Sequence, residues 1–320
     1  MKKIFVTSIT AGMSVDDVFV LAEKSLAQKR DGKPYLNLTL ADRSGSIKAV
    51  MWDGVETGAA AAGPGDYVQV AGTVSEYRGQ LQLVVRALRK AEAADLEAGD
   101  FLPATTLDVG EVFDRLVKIT RSLERKWLRE LLEAFWADSD FVARFQRAPA
   151  AKMMHHAYIG GLAVHCLSMA KLAEKIASHY VGVDRDLLIA GAVLHDVGKV
   201  RELQYSAVID YSDEGRLLSH IVIGLQMIDD KLRQVADVPA EEADRLRHLV
   251  VSHHGSQEFG SPEPPKTIEA LLLHYIDEID SKVNAVRDFI AKEDAGGSWT
   301  SYHRVLGRHF YLGGGGHGSD

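Results

Sequence analysis

One cysteine, Cys166, stands alone in 320 residues, so no disulfide can form within the chain and nothing in it calls for an oxidising compartment. Long apolar runs are missing as well. The longest stretch free of Asp, Glu, Lys and Arg runs from Met153 to Ala170, eighteen residues that include three histidines, and makes a poor membrane span. The N-terminus, Met1-Lys2-Lys3-Ile4-Phe5-Val6, begins as a secretory leader would. Thr7, Ser8 and Thr10 interrupt its apolar run and Asp16-Asp17 close it, which argues against a leader and for a soluble, cytoplasmic protein. A surplus of positive charge is also lacking, since the net charge is −8, and this argues against a protein wrapped in nucleic acid. Residues 1–88 are near neutral, with ten Lys/Arg against nine Asp/Glu, so the acidity lies in the remainder. There it fits metal-binding carboxylates and solvated helix faces. No internal repeat is present.

What is present reads as globular, with 46% hydrophobic and 26% charged residues, and the length predicts two domains with separate cores. Residues 1 to about 90 carry the two-residue alternation of strands. Val18–Leu21 opens one, Tyr35–Leu40 and Ile47–Trp52 flank the turn Asp42–Gly45, and Tyr67–Val74 and Gln80–Val85 flank Tyr77–Gly79. The small-residue segment Gly58–Gly65 is compatible with a short helix or a loop. Five strands in this order predict a small closed Greek-key barrel. From Leu107 the period becomes helical, first through Leu123, then over Trp127–Trp136. Further helices are predicted at Leu162–His179, Asp186–Leu194, Ser219–Val235, Ala243–His253 and Thr267–Phe289, with Asp184 and Thr267 at capping positions. Ala, Glu, Asp, Gly and Pro103 break both patterns between Arg89 and Leu107, which marks the domain boundary.

Thirteen histidines, concentrated in the second half, carry the chemistry. A lone histidine on a helix is by default a packing or capping residue. His195-Asp196 differs, because it ends the apolar helix Leu187–Leu194, where buried polar groups need partners. A shared cation would satisfy both. Imidazole with carboxylate suits manganese, iron, magnesium-like or zinc ions, and a bridging aspartate brings two ions to about 3.5–4 Å.

His165, His195-Asp196 and Asp277 resemble the ligand order of the HD-domain metal-dependent phosphohydrolases, and His220 with His253-His254 resembles the bimetallic members of that superfamily. Longer motifs narrow the likeness: Met154–His165, His195-Asp196-Val197-Gly198-Lys199, Asp213–His220, Ser252-His253-His254-Gly255 and Phe259-Gly260-Ser261-Pro262 look like the YhaM-type 3′→5′ exoribonucleases. Gly32–Leu40 resembles the nucleic-acid-binding OB domain of that family. The likeness covers nearly the whole chain. It implies an OB domain over 1–90, a linker and leading helices over 91–150, an all-α HD domain over 151–312, and a flexible glycine-rich tail over 313–320.

The resemblance further implies two divalent ions, manganese foremost, with magnesium, iron, cobalt or zinc as alternatives. His165, His195, Asp196 and Asp277 would hold the first, and Asp196 would bridge to a second held by His220 and by His253 or His254. The other member of that pair is then free for phosphate. Asp196 and Lys199 are the expected catalytic residues; Lys199 is placed either to meet a phosphate oxygen or to lie solvated on a first helical turn. Cys166 stands where a threonine is expected and reads as a packed thiol. His156 and Arg216 are candidate substrate contacts. On the barrel, alternation turns Leu36, Leu38 and Leu40 inward and Tyr35 outward, with Trp52 also facing out. Both are candidate stacking surfaces or rim residues, and Lys33, Lys48, Tyr67, Tyr77 and Arg78 are further available groups. The expected partner is single-stranded RNA, with DNA as a variant. A nucleotidase or cyclic-dinucleotide phosphodiesterase with a regulatory barrel is the competing class. The aromatic segment Trp299–Arg304 is suited either to dock on the helical core or to touch substrate.

Overall fold

The computed structural model describes residues 2–29, 31–77, 79–92, 96–152, 156–291 and 297–313. Arg78 and nearly all of the expected tail lie outside them. Two compact units result, one of Met1–Thr106 with Leu203–Ser212 and the other of Leu107–Glu202 with the chain from Asp213 onward.

The first unit is a closed barrel of β1 (Ser14–Gln28), β2 (Pro34–Asp42), β3 (Gly45–Met51), β4 (Tyr67–Tyr77) and β5 (Gln80–Lys90), hydrogen-bonded in the order β1-β2-β3-β5-β4. Between β3 and β4 the small-residue segment forms the short helix α1 (Val55–Ala61). Alternation does what the sequence predicts: Leu36, Leu38 and Leu40 are 0–2% exposed and join Phe19, Leu21, Val68, Val70 and Leu83 inside the barrel. β1 runs well beyond Val18–Leu21 because a bulge between Leu21 and Glu23 lets one strand bend and pair with both β4 and β2. The N-terminal residues are tied to the barrel. Lys3 and Ile4 donate their amides to Asp17, Val6 donates to Asp42, and buried Lys2 pairs with Asp42 at 3.3 Å.

A two-stranded hairpin, β6 (Leu203–Tyr205) and β7 (Ile209–Tyr211), completes this unit. The Tyr67 hydroxyl donates to the Ser206 carbonyl at 2.6 Å, and Ala207 packs with Val20, Tyr67 and Phe101.

The helical unit comprises α2 (Val109–Arg121), α3 (Lys126–Trp136), α4 (Ser139–Arg147), α5 (Gly161–His179), α6 (Arg185–Leu194), the single turn α7 (Lys199–Glu202), α8 (Asp213–Leu232), α9 (Ala240–Ser252) and α10 (Ile268–Ala291). Asp184 caps α6 by accepting from Leu187, and the Thr267 hydroxyl accepts from the Ala270 amide. Helix α6 is apolar all round and is buried from Asp186 to Leu194, as such a helix must be. Helix α8 is broken at Ser219 (φ 61°, ψ 160°), where the expected helix begins; the residues from Asp213 to Leu218 form a separate helical segment before it. Past α10, Trp299 pairs with Tyr311 and His303 with Arg308, and the His303 ring packs edge-on to Phe289 at 4.6 Å. The aromatic segment therefore docks on α10.

Candidate metal centre

The C-terminal ends of α6 and α9 converge with side chains from within α5, α8 and α10. Helix α5 presents His165 on its second turn. α6 ends at His195, with Asp196 next in the chain. α9 ends at His253, followed by His254, and Asp277 projects from the middle of α10. His220 comes from α8, directly after Ser219, whose backbone lies where only glycine is at ease, at a cost of about 1–3 kcal/mol. Gly198 lets the two segments meet: a Cβ there would lie 2.0 Å from the His220 carbonyl oxygen, so no other residue fits.

Asp196 stands at the middle, 2% exposed. Its Oδ2 lies 3.3 Å from His195 Nε2 and 3.7 Å from His165 Nε2, and His165 Nε2 is 3.4 Å from Asp277 Oδ1. Its Oδ1 lies 3.5 Å from His220 Nε2 and 3.8 Å from His253 Nε2. Potential ligand atoms of His165, His195 and Asp277 fall within 4.8 Å of one another, and so do those of His220, His253 and His254.

The outer nitrogens show how the rings are used. His195 Nδ1 faces the Ala192 carbonyl at 3.0 Å and His253 Nδ1 the Val250 carbonyl at 2.7 Å. His165 Nδ1 faces Asp280 Oδ2 and His220 Nδ1 faces Glu202 Oε1, both at 2.9 Å. All four partners only accept, so each Nδ1 carries the proton and each Nε2 turns a lone pair inward. The His165 and His195 Nε2 atoms then face each other at 3.3 Å. Opposed lone pairs repel unless a cation lies among them. On the other side, Asp196 Oδ1, His220 Nε2, His253 Nε2 and His254 Nδ1 are buried without a hydrogen-bond partner. Leaving such groups unsatisfied costs roughly 1–3 kcal/mol each. The donor set thus fits divalent cations, and carboxylate or carbonyl acceptors behind each imidazole are the usual support of metal-binding histidines.

The electrostatics agree. Burial would raise the Asp196 carboxyl, but the Lys199 ammonium beside it holds it well below the usual carboxylate range. Burial would lower Lys199, and Asp196 outweighs it and raises the ammonium. Burial pushes His253 far down and His254 to about 4, so both rings are neutral at neutral pH. Asp280 is also depressed despite burial, by His156, His165 and Ser168.

Several sequence expectations change here. Lys199 is not solvated; its Nζ is 2.6 Å from Asp196 Oδ2. His156 is corrected as a substrate contact: it is 4% exposed, with Nδ1 2.7 Å from the Tyr158 hydroxyl and Nε2 3.0 Å from Asp280, so it buttresses the carboxylate behind His165. Arg216 is exposed on the first turn of α8, outside the buried cluster. Both His253 and His254 reach the second group, where a single ligand was expected. Cys166 is packed, its thiol directed at the Val193 carbonyl and pushed up by burial. Sequence reasoning missed Asp280 and Glu202. Asp280 lies three residues after Asp277 on one helix face, a usable signal; Glu202 has no such relation to His220.

On the barrel, Tyr35 and Trp52 pack against each other with centroids 4.8 Å apart, and Lys29 Nζ lies 4.8 Å above the Trp52 ring. Trp52 is 38% exposed. Lys33 and Tyr77 are exposed, but Tyr67 is buried, and Lys48 is engaged by Glu23 and Thr39.

Comparison with known proteins gives two domain matches: the HD domain over residues 162–282, and the OB-fold nucleic acid binding domain over residues 20–91. The chain is 35% identical to the 3′-5′ exoribonuclease YhaM of Bacillus subtilis over 94% of its own length and 95% of that protein. It is 35% identical to the protein of that name from Listeria monocytogenes, over 92% and 94%. Among solved structures, the second OB-fold domain of replication protein A from Methanococcus maripaludis aligns with 29% of this chain and 98% of that one, at 21% identity and TM-score 0.24.

Proposed function

The chain belongs to the YhaM family of 3′-5′ exoribonucleases, and on that premise we propose that it removes nucleotides successively from the 3′ end of single-stranded RNA, releasing 5′-mononucleotides. It is a metal-dependent hydrolase of the HD class with an OB-fold nucleic-acid-binding domain. The observation that carries the mechanism is the Asp196 carboxylate, with one oxygen toward His165 and His195 and the other toward His220 and His253.

In this reading His165, His195, Asp196 and Asp277 would hold one divalent ion, and Asp196, His220, His253 and His254 would hold a second, manganese being the preferred metal. Ions so held would lower the pKa of a bound water and neutralise charge on the phosphate oxygens. The protein's own residues do the rest. The outer acceptors on His165, His195, His220 and His253 fix each ring and leave its inner nitrogen unprotonated. Lys199 sets a positive charge on Asp196, 2.6 Å from its Oδ2. Tyr35, Trp52 and Lys29 offer stacking and charge without reading sequence, which suits an enzyme that must accept every base. Arg216 is kept as an exposed cation for the strand.

The test is manganese-supplemented digestion of single-stranded RNA labelled at its 5′ end, beside a 3′-blocked copy. A descending ladder that the block suppresses is expected. Intact RNA, with hydrolysis of nucleotides or cyclic dinucleotides in parallel reactions, would overturn the reading.

A further inference from the structure

We propose that the loop His254–Ser261 seats the 3′-terminal nucleotide of the RNA, with Phe259 as the face on which its base stacks and Ser256 as a hydrogen-bonding group for its sugar-phosphate. This rests on the exoribonuclease reading above.

The loop leaves the candidate metal centre directly, since its first residue is His254. It is held tightly. The Ser256 amide donates to His254, the Phe259 and Ser261 amides both donate to the Ser256 carbonyl, and the Gly260 amide donates to Gln257. At its far end Ser261 is 2% exposed, with its hydroxyl 2.9 Å from the Val251 carbonyl and 2.8 Å from that of Glu263. At its near end Gly255 (φ +81°) lies so close to the His274 ring that a Cβ would sit 2.3 Å from Cε1. Gly260 (φ +88°) folds the loop back, and a Cβ placed on it would be 3.7 Å from His254 Nδ1. Successive Cα atoms being 3.80 Å apart, the Phe259 Cα is then no more than about 9 Å from that nitrogen. A base is within reach of Phe259 when its own phosphate is at the histidines.

On this fixed loop Phe259 is 72% exposed. A ring left in water forgoes burial that every core phenylalanine gains, and a stacked base restores it. A flat apolar ring also accepts all four bases, as progressive digestion requires. The second observation is independent: the Ser256 hydroxyl oxygen is buried and has no hydrogen-bond partner. The loop therefore holds both an unused aromatic face and an unused polar group beside His254.

The experiment compares initial rates on two 5′-labelled RNAs of one sequence, one ending in an ordinary nucleotide and one in an abasic nucleotide, for wild type, Phe259→Ala and Phe259→Trp. Stacking predicts that Phe259→Ala raises KM for the ordinary end by roughly tenfold with kcat little changed. The abasic end should be unaffected, so that discrimination between the two ends disappears, and Phe259→Trp should restore it. An alanine variant that keeps wild-type KM and discrimination overturns the inference, as does one that weakens both ends equally, which is the mark of a structural or partner-binding ring. A wild-type enzyme that digests neither RNA defeats the exoribonuclease reading itself, and this inference with it.

Discussion

Asp280→Asn tests whether the carboxylate behind the cluster works through His165. Asp280 is 4% exposed; its Oδ2 accepts from His165 Nδ1 at 2.9 Å and its Oδ1 accepts from Ser168. Asparagine keeps the volume and can still turn its oxygen to His165 and its amide nitrogen to the Ser168 hydroxyl, but it removes the negative charge that His165 Nδ1 donates to. A hydrogen bond to a charged group is worth about 1.5–3 kcal/mol, which matches the roughly 10–100-fold loss of metal affinity seen when such supporting groups are removed. The assay is manganese titration of RNA hydrolysis, paired with calorimetric binding to metal-stripped protein. The half-saturating manganese concentration should rise by about 10–100-fold, and saturating manganese should recover most of the rate. Affinity within twofold of wild type would refute the assignment of Asp280 as the group that orients His165.

Asp196→Ala should abolish hydrolysis while leaving single-stranded RNA retention on a filter unchanged; residual digestion at the wild-type rate removes Asp196 from the centre. Tyr35→Ala should weaken RNA binding by roughly tenfold, the order of one base–aromatic stack, and undiminished affinity would take Tyr35 off the binding surface. The metal-free protein should lose thermal stability in mild acid. Burial lowers the His254 imidazole from 6.5 to about 4, so the unfolded chain binds a proton there that the folded chain refuses. The resulting stability is fully present above pH 6.5 and drains away as the pH falls through about 4. A melting temperature flat from pH 7 to 4 would contradict this.

The barrel was legible because its leucines alternate strictly and one face is buried, so register and inside–outside assignment follow from period two. The same regularity hid the length of β1, whose bulge leaves no mark in the hydrophobic pattern. In the helical half, His195-Asp196 stood out at the end of an apolar helix, and the resemblance to the HD-domain phosphohydrolases pointed to His165, His220, His253, His254 and Asp277, which the fold brings together. Their supports were less legible: Glu202 meets His220 only because Gly198 admits close packing, and His156 looked available because burial depends on contacts distant in sequence. The hairpin Leu203–Tyr211 was invisible, being three-residue strands that count with the barrel despite lying inside the helical half of the chain.

If two cation sites share the Asp196 carboxylate, metals bound there must be magnetically coupled through it. Metal-stripped protein, re-equilibrated with manganese and desalted, would be assayed for bound metal by elemental analysis and by electron paramagnetic resonance. Two manganese ions per chain with the spectrum of a coupled pair are expected, with loss of that coupling in Asp196→Ala. A single magnetically isolated ion in the wild-type protein, or two that stay coupled without Asp196, would contradict a shared Asp196.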